Sequence, residues 1–146
     1  MSATNAFETS LLGLIITNVA AANVGDAGGL QPSVTAGVFW ISLHTADPGE
    51  TGGQATNEAA YTSYGRVSVA RSTAQWTVAG EVADNDNAIT FPAATGGSET
   101  ETHFGLGSAE TTAGNLFLYG ALTAGLAVSS GITPEFAAGA LDITLD

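Results

Sequence analysis

The hydrophobic pattern of the chain changes its period at residue 38. Before it, Phe7, Leu11, Leu14 and Ile15 recur at helical spacing, and Leu12, Ile16 and Val19 carry the apolar surface further round the same cylinder. From Val38 the period is two: Val38, Trp40 and Ser42 alternate with Phe39, Ile41 and Leu43. Nearly every later apolar run is short and bounded by Gly, Asn, Asp or Pro. Such a chain forms many short antiparallel strands behind one helix. We expect a mainly β fold, an antiparallel β-sandwich or jelly-roll-like barrel with one N-terminal α-helix. The helix is expected over residues 1–24 and the sandwich over 38–146, in a single domain of 1–146.

Asn5 and Glu8 have the spacing of a capping box, and Gly25-Asp26-Ala27-Gly28-Gly29 reads as the helix stop. Residues 38–43 are apolar on both faces, which predicts a central strand covered on both sides. Further strands are expected at 66–70, 76–78, near Val82, and at 88–91, 102–106, 116–120, 126–128 and 141–145. Asp47-Pro48-Gly49-Glu50 is a turn, because Pro presets φ and Gly permits positive φ. The link between the strands at 38–44 and 66–70 is about 20 residues long, too long for a plain hairpin, and reads as an exposed contact loop.

Charge narrows the function classes. Fourteen acids face two arginines and no lysine, for a net charge of −12. That field repels phosphate, so neither nucleic acid nor an anionic membrane is an expected partner. The apolar run at 11–22 is interrupted by Gly13, Thr17 and Asn18 and is too short to span a bilayer. The first residues carry Glu8 and no cationic region, unlike a secretory signal. Cysteine is absent, so neither a disulfide framework nor a thiolate site is available.

No catalytic constellation emerges. His44 and His103 lack a third ligand at recognised spacing, so no metal site is expected. Asp84-Asn85-Asp86-Asn87 resembles part of a calcium loop but lacks its Gly and closing Glu. It reads as a turn rich in Asx residues, with a weak Ca²⁺ site near Asp84 and Asp86 left open. There is no G-x-S-x-G elbow, and Gly105-Leu106-Gly107-Ser108 lacks the rest of a dinucleotide fingerprint. We expect no enzyme and no cofactor. Arg66 and Arg71 are expected to meet either local acids or a neighbouring subunit.

Several segments carry a resemblance. Asn5-Ala6-Phe7-Glu8-Thr9-Ser10-Leu11-Leu12, Ser42-Leu43-His44-Thr45-Ala46-Asp47-Pro48-Gly49-Glu50, Glu58-Ala59-Ala60-Tyr61, Tyr64-Gly65-Arg66-Val67 and Leu126-Ala127-Val128-Ser129-Ser130-Gly131-Ile132-Thr133-Pro134 are similar to small virion proteins of tailed bacteriophages. Some of these are loosely labelled tail fibre proteins; in size and β character they also resemble capsid decoration, or cement, proteins. The resemblance implies a virion structural role and transfers no catalytic residue.

With no coiled coil or repetitive shaft in the sequence, the leading expectation is a decoration protein on the outer surface of the head. Its partners would be the major capsid protein and copies of itself, as a homodimer or homotrimer, and it would be made in the bacterial host cytoplasm. The alternatives are a tail-associated component (fibre, tip or tube-linked) and a glycan-binding sandwich using Trp40, Trp76, Tyr61 and Tyr64. Candidate interface residues are Phe7, Leu11, Ile15, Asp47, Glu50, Arg66 and Arg71.

Overall fold

A computed structural model describes residues 2–145, so the first residue of the expected 1–24 helix and both ends of the expected 1–146 domain lie outside the described residues. In chain order the elements are α1 (Asn5–Thr17), β1 (Val38–His44), β2 (Val67–Ala70), β3 (Trp76–Ala79), β4 (Val82–Asn85), β5 (Ile89–Thr90), β6 (Ser98–Gly107), β7 (Leu116–Ser129), β8 (Glu135–Phe136) and β9 (Asp142–Thr144). The fold is mainly antiparallel β with a single N-terminal helix. No sheet closes on itself among the described residues, so the barrel form of the expectation is not what the strands build. The chain packs as two compact units. One holds the residues up to Gly37, Ala70–Ile89 and those from Phe136 on; the other holds Val38–Val69 and Thr90–Glu135.

In the first unit α1 packs on β3 and β4, which form the three-stranded sheet β3-β4-β9. Register pairs such as Val78 with Ala83 and Ala83 with Ile143 align its strands. Leu12, Ile16, Trp76, Ala83 and Ile143 are buried. Burying a side chain the size of Leu12 or Ile16 contributes about 1.5–3 kcal/mol.

Two helix expectations are corrected. Thr4, not Asn5, is the N-cap residue, and it makes no side-chain capping bond, so the Asn5–Glu8 box does not form. The helix also stops at Thr17, well before Gly25. Asn18 takes the left-handed conformation at φ 58, a role its short polar side chain tolerates. The glycine-rich stretch instead closes a turn between Ala21 and Leu30, which pair as an isolated antiparallel bridge. Asp26 Oδ1 accepts the Gly28 and Gly29 N–H groups inside that turn.

The second unit is built on the four-stranded sheet β2-β1-β6-β7. β1 is a central strand, buried at every position from Ile41 to His44, as its two apolar faces predict. Phe39, Ile41, Leu43, Tyr61, Phe91 and Leu106 are buried in this unit. β6 begins at Ser98, four residues before the expected start, and β7 runs unbroken through both the 116–120 and 126–128 expectations. Pairing with β6 carries β7 across the gap: Ala121 faces His103 and Leu126 faces Glu101, leaving 122–125 as a wide bulge opposite Thr102. β5 and β8 form a two-stranded ladder.

Candidate contact surface

The long link after β1 is anchored along most of its course. Asp47 Oδ1 accepts the Gly49 N–H at 2.8 Å, and Gly49 sits at φ 71, which closes the expected turn. Asn57 Nδ2 donates to the Asp47 carbonyl, and His44 and Glu58 form an isolated antiparallel bridge. Gln54, Ala59 and Tyr61 are buried. Exposed positions nonetheless recur along the link, at Asp47, Glu50, Thr51, Ala55, Asn57, Ala60, Thr62 and Ser63, between these buried anchors.

Gln54 shows how the anchoring works. Its Nε2 donates to the Trp40 carbonyl at 2.9 Å and its Oε1 accepts the Ala109 N–H at 3.0 Å. The amide occupies the space above Gly107, where a Cβ would overlap it. Glycine at 107 is therefore the residue that lets the link reach the sheet.

At the far end of the link stands Arg66. Its Nε donates to Glu58 Oε1 at 2.6 Å and its Nη2 to Glu58 Oε2 at 2.7 Å, a bidentate pair. Nη1 and Nη2 also donate to the carbonyls of Ala109 and Thr112, which ties down the β6–β7 connection. Tyr64 Oη donates to Glu58 Oε1 and accepts the Leu43 N–H. The Glu58 hydrogen bond holds the guanidinium pKa up, while burial, ahead of any charge effect, pushes the Tyr64 hydroxyl up. An open cleft of about 500 Å³ lies against this cluster, lined by Ala55, Glu58, Tyr64, Arg66, Glu110 and Thr112 among others. Arg66 is its cation, and the guanidinium is already engaged by Glu58.

Behind the cluster is a buried polar pair. His44 Nδ1 faces the Thr56 carbonyl at 2.8 Å, an acceptor only, so Nδ1 carries the proton. Nε2 is then the acceptor for the Ser42 hydroxyl at 2.9 Å. Burial lowers the His44 pKa and keeps the ring neutral. The pair has the connectivity of a nucleophile and its base, yet both residues have no exposed surface, so no substrate reaches them. Period two in β1 puts residues 42 and 44 on one face, a signal available in the sequence.

Glu101 on β6 is fully buried, and neither carboxyl oxygen has a hydrogen-bond partner among the described residues. Desolvation, reinforced by Glu99, pushes its pKa up to about 7. Glu99 Oε1 accepts the Ala60 and Tyr61 N–H groups. Burial, with help from Glu101 and Glu99, raises Tyr61 to about 12.

In the first unit Arg71 clamps the helix end. Its Nε donates to the Ile15 carbonyl at 2.7 Å, its Nη2 to Leu14 at 2.8 Å and its Nη1 to Ala36 at 2.9 Å. A cation here satisfies orphan carbonyls and the negative end of the helix dipole. The buried helix positions are Glu8, Leu12, Ile16 and Thr17, not the 7–11–15 stripe: Phe7 is 42% exposed, and Leu11 and Ile15 are half-buried. Asn85, expected in a turn, is instead a buried strand-end clamp. Its Nδ2 donates to the Asn87 and Ala137 carbonyls, and its Oδ1 accepts the Ala140 and Leu141 N–H groups. Asp84 faces Asp142 across the β4–β9 ladder, and partial burial, with that like charge, raises its pKa. Among the described residues no three His, Asp or Glu side chains gather in a way that would hold a metal.

A family model described as Podophage GP4 fiber I protein gp80 matches residues 3–144. The chain belongs to that fibre-protein family. The match takes in segments of both units, and as a family member the chain is a structural protein of a phage virion, located in the particle. No curated protein matches it. The family's description fits a tail fibre, whereas the head-surface location expected from the lack of a coiled coil or shaft has no counterpart in it. No helix among the described residues is long and apolar enough to cross a membrane.

Proposed function

We propose that this chain is a tail-associated structural component of a podophage virion, a fibre protein or a module attached to one. The observation that carries the reading is the match of residues 3–144 to a family described by its fibre role. The anchored link supports it. Gln54, Arg66 and His44 turn inward to hold backbone, and Glu58 holds Arg66 in place, which suits a rigid building block. We read the chain as non-catalytic, since the one serine–histidine pair among the described residues is sealed from solvent. Its partners are other virion proteins and copies of itself, and the −12 charge disfavours nucleic acid.

Capsid decoration is the second reading, favoured by one feature: the only helix described has 13 residues, and no coiled coil or repeating shaft is present among the described residues. Copy number separates the two. Quantitative mass spectrometry of purified virions is expected to find a small number of copies, in proportion to known tail proteins. Hundreds of copies, in proportion to the major capsid protein, would replace the tail reading with decoration.

A further inference from the structure

We propose that β7 is a self-association edge, and that a second copy of this chain pairs with it strand to strand, β7 against β7, about a two-fold axis near Tyr119. This holds wherever in the virion the chain sits.

β7 is the terminal strand of its sheet and is hydrogen-bonded there only to β6. At 14 residues it offers an edge about 45 Å long, on which alternate N–H and C=O groups point away from the sheet. Natural edge strands are protected by Lys, Pro, inward charges, bulges, a covering element or short length. β7 carries no Lys, Pro or charge and is not short. Its protection is its bulges, at residue 117 and at 122–125, and between them residues 118–121 run in unbroken register with β6. Phe117 is 52% and Tyr119 37% exposed, and Ala121, Thr123 and Ala124 are exposed beyond them.

Charge identifies the occupant. Two copies at −12 each repel over most of their surfaces. Residues 111–134, between Glu110 and Glu135, form the longest run without a charged side chain, and β7 lies wholly inside it. That run is where two copies approach without like charges meeting. The opposite sheet edge, β2, has only four residues and lies between Arg66 and Arg71, so it offers no matching partner for a head-to-tail contact. An edge whose only counterpart of equal length among the described residues is itself makes an isologous pair. Centring that pair on Tyr119 sets Phe117 of one copy opposite Ala121 of the other, on the same face.

Light scattering on the full chain tests this. The wild type is expected at twice the 14.5 kDa chain mass, and the double variant Tyr119→Lys/Ala121→Lys at the single mass. Ala138→Lys, an exposed site outside β7, is expected to stay at twice the mass. Because the chain has no cysteine, Tyr119→Cys gives a second readout that does not depend on the lysine variant folding. Mild oxidation is expected to cross-link it into dimers and to leave Ala138→Cys monomeric, since facing strand positions meet disulfide geometry. A monomeric or trimeric wild type, a folded lysine double variant that remains dimeric, or equal cross-linking of both cysteine variants overturns the proposal.

Discussion

Arg66 and Glu58 are joined by two parallel hydrogen bonds, at 2.6 and 2.7 Å, with the arginine side chain only 3% exposed. Eight residues apart in sequence, they close the long link on itself. The same guanidinium reaches the carbonyls of Ala109 and Thr112, so one side chain fixes two loops. Removing one partner of a buried ion pair leaves the other uncompensated. Arg66→Ala is expected to cost about 3–5 kcal/mol in urea denaturation. Limited proteolysis is expected to cut the variant first near residues 109–113.

Arg71 does similar work on the helix. Three of its hydrogen bonds end on carbonyls of Leu14, Ile15 and Ala36. Arg71→Met keeps much of the apolar stem and removes the donors, with an expected loss of about 2 kcal/mol, in the range for hydrogen bonds to charged groups. Far-UV circular dichroism is expected to show α1 melting earlier than in the wild type.

The two faces of α1 are expected to differ sharply. Leu12→Ala and Ile16→Ala empty fully buried positions and should each cost about 2–5 kcal/mol. Leu11→Ala and Ile15→Ala, at half-buried positions, should cost under about 1.5 kcal/mol. Equal losses on both faces in thermal melts would contradict the burial pattern.

Much of the architecture was legible before any coordinates. Alternation in residues 38–44 marked a central strand because each face of β1 meets apolar cover. The helix register was not legible, because α1 is apolar nearly all round and its own sequence does not say which stripe meets β3 and β4. The length of β7 was hidden for a different reason. Residues 121–125, with Thr123 and Gly125 among them, fall between the strands expected at 116–120 and 126–128, but register with β6 on either side, at Ala121 and Leu126, carries the strand across the bulge. Asp47 and Glu50 were legible as turn residues. Glu58, Gln54 and Glu101 were not singled out, since a polar residue shows no sign of burial until its partner is known.

Glu101 makes stability depend on pH in an unusual direction. Unfolded, its carboxyl titrates near 4.5; folded, not until about 7. Between those values the unfolded chain has released the proton while the folded chain keeps it, so stability falls as pH rises. The loss across the window is on the order of 3 kcal/mol. His44 acts oppositely: its lowered folded pKa means stability is lost as pH falls below the usual value of 6.5. Glu101→Gln is expected to remove the slope that runs up to about 7, leaving the His44 loss toward acid opposed by Asp84, whose pKa is also raised. Denaturation midpoints from pH 4 to 8 measure both.

The central claim, a structural protein at the tail, is tested most directly by a cryo-electron microscopy reconstruction of the virion into which this chain is fitted. The account predicts density for the helix, the three-stranded sheet and the four-stranded sheet within the tail assembly. Density for this fold covering the outside of the head, with none at the tail, would contradict it.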